Sequence, residues 1–331
     1  MKIVMKSGVA RSTANRQAER KSPSAALALV VISMAAMISV PGCATKVGGG
    51  AAGQGKRPTT ASTDLLLAES LRQYIDSRDP AQALAIAQLA VKRSPERADA
   101  LWILVQICAG TTGCQPEPLE AQLRTLDPTN GIVWLGALNR ALQRNDQAAE
   151  DQVLEAIARS QRVDLGWNGL VAKLSVALAE RSRTNTPENK TPLSNALNES
   201  VSLLSRIALP AFQPLTDSCS ARRLIDRLVA ARCLLVGSVL QRSDTYVAES
   251  MGLGIAQRLA ATDSAETGKV EQRIEAARYQ RETAGDVMSS QMEKERFAAE
   301  LLELMRKQRR EQDVFVAIIR WAGRPLTPQP R

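Results

Sequence analysis

The chain contains no histidine. That absence removes the commonest general base, the Ser-His-Asp and Cys-His catalytic pairs, and the usual nitrogen ligand of zinc. An enzyme made from these residues would have to work with Lys, Glu or Asp. Aromatic residues are also scarce, at 3%, and stretches rich in Val, Ile, Thr and Tyr are few, which argues against sheet. No paired carboxylates, serine elbow or metal-ligand cluster stands out in the sequence. A concentrated basic face is missing too. The net charge of +9 falls to +4 once residues 1–42 are set aside, because that segment carries six basic residues against the single acid Glu19. Over the remaining 289 residues so small an excess makes no case for nucleic acid as a partner. No motif calls for a cofactor.

What is present is a chain of 331 residues, 44% of them apolar, long enough for one large or two ordinary domains with a real core. Ala and Leu, both strong helix formers, fill the candidate core positions. The composition therefore predicts an all-α body.

Residues 1–24 are polar and basic. The apolar run Ala25–Val40 follows, interrupted only by Ser33 and Ser39, and Pro41-Gly42-Cys43 ends it. A basic segment, an apolar segment and a small residue before a cut describe a secretory signal. Val40-Pro41-Gly42-Cys43 resembles the lipobox of bacterial lipoproteins, with Pro41 departing from the usual small or aliphatic residue. The resemblance implies removal of residues 1–42, lipidation of Cys43, and attachment to the membrane through that lipid. Met5 is an alternative start. An uncleaved anchor is the other reading of the apolar run, whose length is close to the roughly 17–20 residues that span a bilayer. Both place residues 44–331 outside the cytoplasm. Ala44 after the cysteine implies, by the same resemblance, the outer membrane, so the expected location is the cell envelope, facing the periplasm. Residues 43–62 have a linker's composition. Gly50, Gly55 and Lys56 imitate a phosphate-binding loop, but Arg57 stands where Ser or Thr would hold magnesium.

From residue 63 the pattern is helical. Leu66, Leu67, Leu71, Tyr74 and Ile75 share a face, and Asp79-Pro80 starts a second helix. Trp102, Trp134 and Trp167 are spaced 32 and 33 residues apart, and Asp79 and Asp146, each opening a second helix, are 67 apart. The phrase Leu123–Asn130, then Val133-Trp134-Leu135-Gly136, then Asn145–Ala149, resembles the turn, first helix and second helix of tetratricopeptide repeats. The resemblance covers residues 63–180 and implies stacked antiparallel helix pairs, a solenoid in which neighbours cover apolar faces that one pair cannot bury alone. The tryptophans are expected between paired helices. Residues 181–192 read as a loop. Beyond it, residues 193–322 predict further helices near 193–208, 221–241, 244–261, 266–284, 287–308 and 312–322, with Pro210 and Pro214 forcing a break. Met251-Gly-Leu-Gly254 suits a close helix approach. Residues 323–331 read as a tail.

Four cysteines remain after Cys43: Cys108, Cys114, Cys219 and Cys233. An even count in an exported chain predicts two disulfides. Cys108 and Cys114 flank a glycine-containing turn. Cys219 and Cys233 would lie about 21 Å apart on one unbroken helix, too far to bridge, so either a loop folds back or the helix breaks. Crossed pairings stay open, and a zinc site of all four thiolates is the sharper alternative. The basic run Arg306–Arg310 predicts a solvated helix face, with anionic headgroups as the other reading.

These features favour a membrane-anchored helical scaffold that binds an envelope protein. A peptidoglycan-acting enzyme using Glu or Asp, and a plain structural spacer, are the alternatives.

Overall fold

The computed structural model describes residues 62–76, 79–260 and 264–328. The expected leader, Cys43, the Gly50–Lys56 run and the rest of the expected linker up to residue 61, and residues 329–331, lie outside the described residues.

The described residues form thirteen α-helices and no strand. The first six are α1 (Thr63–Asp76), α2 (Pro80–Arg93), α3 (Ala98–Ala109), α4 (Glu117–Leu126), α5 (Leu135–Gln143) and α6 (Gln147–Ala158). Then come α7 (Trp167–Asn185), α8 (Pro192–Ser218), α9 (Arg227–Leu240) and α10 (Tyr246–Ala260). The last three are α11 (Ser264–Gln291), α12 (Glu295–Lys307) and α13 (Glu311–Trp321). Short 3-10 turns precede α5 (Gly131–Trp134) and α9 (Arg223–Ile225).

Several starts follow local rules. Asp79, Asp146 and Asp226 each cap the helix they precede, their carboxylates accepting from Ala81 N, Ala149 N and Leu228 N at 3.0, 3.0 and 2.8 Å. Each satisfies a backbone donor that the helix leaves unpaired.

Consecutive helices pack as pairs: α1 with α2, α3 with α4, α5 with α6. The stack then closes on itself. The first helix lies against α7 and α8, α5 also lies on α8, α6 packs on α9, and α12 covers α7 and α8. The described residues accordingly cluster as one compact unit, with one core running from Leu67 and Leu71 through Leu101, Ile107 and Leu138 to Ile319. Two ion pairs clamp the closure, Arg72 to Glu199 and Arg181 to Glu69. Trp102 and Trp167 are buried in the core, and Trp134 is half-buried with the Arg124 guanidinium 4.9 Å from its ring centroid.

The expected break at Pro210 and Pro214 does not occur, for α8 runs 27 residues through both. Each internal proline costs about 3 kcal/mol of helix stability. The apolar face continues across them, however, from Ile207 and Ala208 through Phe212 to Leu215, all buried. Burial contributes roughly 1.5–3 kcal/mol for each large side chain, so tertiary packing offsets the local cost. The helix expected to end near 284 likewise continues to Gln291.

Disulfides join Cys108 to Cys114, with Cα atoms 5.3 Å apart, and Cys219 to Cys233, at 5.7 Å. The second is possible because the chain breaks between α8 and α9. Cys219 is the residue capping the end of α8, and the turn at 220–226 brings Cys233 beside it. Among the described residues, no helix is long and apolar enough to cross a membrane.

Candidate functional site

Five helical starts, those of α3, the Gly131–Trp134 turn, α7, α10 and α13, gather around a cleft of about 290 Å³. Trp102, Leu123, Ile132 and Leu165 give it apolar walls; Asp99, Asp127, Asn130, Arg162, Asp164, Asp244 and Arg309 give it polar ones. The starts of helices carry partial positive charge and unpaired N–H groups. Carboxylates are therefore concentrated there, and two of them, Asp244 and Glu311, serve helices distant in the chain.

Helix α7 shows the arrangement. Its own N-cap is Gly166, in the left-handed region at φ +68°, with no side chain to offer. Asp244, 79 and 77 residues further along, supplies the cap: its two oxygens accept from Leu165 N at 3.0 Å and Trp167 N at 2.8 Å. Asp244 N in turn donates to Asp164 Oδ1 at 3.0 Å. Glu311 does the same for α10, accepting from Tyr246 N at 2.8 Å, while its own N–H donates to the Asp244 carbonyl at 2.8 Å. Both carboxylates are buried. Burial, with Asp164 nearby, pushes the Asp244 carboxyl up to about 6. Burial pushes Glu311 up to about 7, with Asp244 and Glu249 adding repulsion.

On the other wall, the Asn130 side chain accepts from Ile132 N at 3.2 Å and Asp164 N at 2.9 Å, and donates to Asp127 at 2.9 Å and the Asp164 carbonyl at 2.8 Å. An isolated parallel bridge pairs Asn130 with Arg162. Arg162 reaches Asp127, and Arg309 holds Asp164 through Nε and Nη2 at 2.9 and 2.6 Å. Burial raises the Asp99 carboxyl, but the hydrogen bond and charge of Arg97, helped by Lys173, outweigh it and hold Asp99 down at about 2.

What this can do is recognition through hydrogen bonds and charge. The Asp164 carboxylate is 9% exposed, whereas Arg162 and Arg309 are 34% and 58% exposed. A ligand entering the cleft meets guanidinium groups, and the acids beneath are already engaged with backbone N–H groups or arginines. Among the described residues, no group of three or more Cys, Asp or Glu could hold a metal ion.

The residues singled out from sequence fall elsewhere. Cys108, Cys114, Cys219 and Cys233 are in the two disulfides and line no part of the cleft. The basic run 306–310 is not simply a solvated face. It ends α12 and turns into α13, with Arg309 on Asp164 and Arg310 donating to the Ser243 carbonyl at 3.2 Å. Trp102 was visible as a helix marker. Asp244 and Glu311 were not singled out, although Ser243-Asp244-Thr245 carries the composition of a helix start.

Compared with protein-family models, with curated proteins and with solved structures, the chain matches none.

Proposed function

We propose that the chain is a lipid-anchored envelope scaffold whose cleft binds an extended segment of a partner protein. The observation that carries this reading is the cleft itself. It has apolar walls, the exposed Arg309 and the half-buried Arg162 guanidinium, and it is assembled from the ends of helices belonging to distant parts of the chain. Arg162 and Arg309 would favour acidic side chains or backbone carbonyls of the partner, since a guanidinium donates in a planar fork. The lipobox-like Val40–Cys43 supports export and lipidation at Cys43, and Ala44 after it supports sorting to the outer membrane.

Two measurements test this. Labelled fatty acid should enter the wild type and not Cys43→Ala; equal labelling of both, or of neither, removes the anchor. Crosslinking in intact cells should then capture a reproducible envelope protein, and Arg162→Glu/Arg309→Glu should lose it while the variant stays folded and lipidated. A partner retained by the double variant moves the binding site off the cleft. The absence of any partner, with activity on isolated sacculi abolished by one carboxylate substitution, replaces the scaffold with an enzyme.

A further inference from the structure

The surface of α9 is apolar where it faces water. Ile225, in the turn before it, is 83% exposed, and Leu228, Leu234 and Leu235 are 68%, 54% and 56% exposed. At 100° per residue, Leu228, Ala231, Leu234 and Leu235 fall within an exposed arc of about 120°, with Arg227 and Ser238 between them. Isolated exposed leucines are ordinary, but a contiguous group rimmed by charge marks an interaction surface.

The charge around this surface is predominantly positive. The segment 217–242 carries five arginines and two aspartates. Arg223 and Arg232 pair with Glu150 and Asp151 of α6, at 3.0 and 2.9 Å. Asp226 is spent capping α9. Arg222, Arg227 and Arg242 are exposed and make no ion pair with the described residues. The Cys219–Cys233 disulfide pins the turn that carries Ile225 against α9, so the surface is presented already formed.

We infer that the α9 face, Ile225 to Leu235 with Arg222, Arg227 and Arg242, docks onto an anionic lipid surface. Apolar side chains beside a cationic rim match the boundary between phosphate headgroups and acyl chains. A second copy fits less well, because a two-fold pairing would set the same arginines against each other. The inference rests on the anchored reading for its orientation: a lipid on Cys43 would keep Ser62 within about 65 Å of the bilayer, the reach of the intervening chain. It gives that reading a second point of attachment and would fix which side of the body the cleft opens from.

The test uses residues 44–331, which contain the whole described core and both disulfides, without Cys43 or its lipid, so that anchoring plays no part. Flotation with phosphatidylglycerol/phosphatidylethanolamine vesicles is compared with pure phosphatidylcholine. Binding is expected to the anionic vesicles only, and to fall with added salt. Ile225→Ser/Leu228→Ser/Leu235→Ser should weaken it by at least roughly tenfold. Arg222→Gln/Arg227→Gln should weaken it and flatten its salt dependence, both variants keeping the wild-type circular dichroism and melting temperature. No binding to anionic vesicles, equal binding to both lipids, or unchanged binding by the triple variant overturns the inference. So does a dimer in sedimentation that the triple variant abolishes while vesicle binding is absent. Fatty-acid labelling at Cys43 reads the anchor separately, so failure of the face and failure of the anchor are distinguishable.

Discussion

Asn130 and Glu311 are where single side chains hold most at stake. Asn130 is 4% exposed and makes four hydrogen bonds that tie the 127–132 turn to the 162–164 segment. Asn130→Ala strands several of these buried groups at once. We expect it to lower unfolding stability by about 2–4 kcal/mol, read as a lower urea midpoint at unchanged slope. Glu311 tests the electrostatics. Its carboxyl is raised to about 7 in the folded chain, above the ordinary value near 4.3 of an unfolded glutamate. The folded state therefore holds the proton more tightly. Its contribution to stability is fully present below about pH 4 and is lost as pH rises through 7. Asp244, raised to about 6, acts in the same direction. Asp99, held at about 2, acts oppositely, and its contribution is lost only as pH falls below about 4. Glu311→Gln keeps an oxygen for Tyr246 N and removes the charge. It should stabilise the protein at pH 8, by on the order of 1–3 kcal/mol, and change little at pH 4. Melting temperatures at the two pH values measure this; equal shifts at both would remove the charge from the explanation.

Between elements, two glycines two positions apart on α10 make a clean contrast. A Cβ on Gly252 would sit 2.6 Å from the Gly237 carbonyl and 2.8 Å from Gln241 N, backbone that cannot swing aside, where α10 crosses α9. A Cβ on Gly254 would meet nothing within 4 Å. Gly252→Ala should cost about 1–3 kcal/mol by forcing the helices apart, while Gly254→Ala should gain up to about 1 kcal/mol from helix propensity. Thermal melts of the two variants should move in opposite directions. At this scale the sequence was largely readable. The all-α class, the Asp79 and Asp146 starts, and the close approach at Met251–Gly254 follow from local chemistry and periodicity. What escaped were features decided by distant partners. Pro210 and Pro214 look like breakers until the apolar face they interrupt is seen to be buried. The start of α8 has no side-chain cap of its own either; Glu295 of α12 accepts from Leu193 N at 3.0 Å and Ser194 N at 3.1 Å. Local cap rules read the residue before a helix, and here the capping carboxylate lies about a hundred residues away, as Asp244 and Glu311 also cap from afar.

The same distance rule governs the whole molecule. Repeats that touch only their neighbours unfold piecewise, because each unit's stability is its own plus its interfaces. The 63–180 periodicity by itself carries that expectation. The structure adds contacts that skip the order of the chain: α1 against α7 and α8, α6 against α9, and the Asp164–Asp244–Glu311 chain of hydrogen bonds joining α7, α10 and α13. This is also why the cleft could not be read from sequence, since its walls run from Ala98 to Arg309 and are tied by pairs as distant as Arg309 and Asp164, 145 residues apart. A closed arrangement of this kind should unfold as one cooperative unit. Trp102, Trp134 and Trp167 all lie in the first half, and Trp321, 59% exposed and 5.7 Å from Phe297, reports on the second. Replacing the first three by Phe one at a time, and following fluorescence beside far-ultraviolet circular dichroism in urea, separates the halves. Coincident transitions are expected for every probe under oxidising conditions. A Trp321 transition displaced from the others would mean that the contacts across α7–α10 are too weak to couple the two halves, and that the repeat-like half stands on its own.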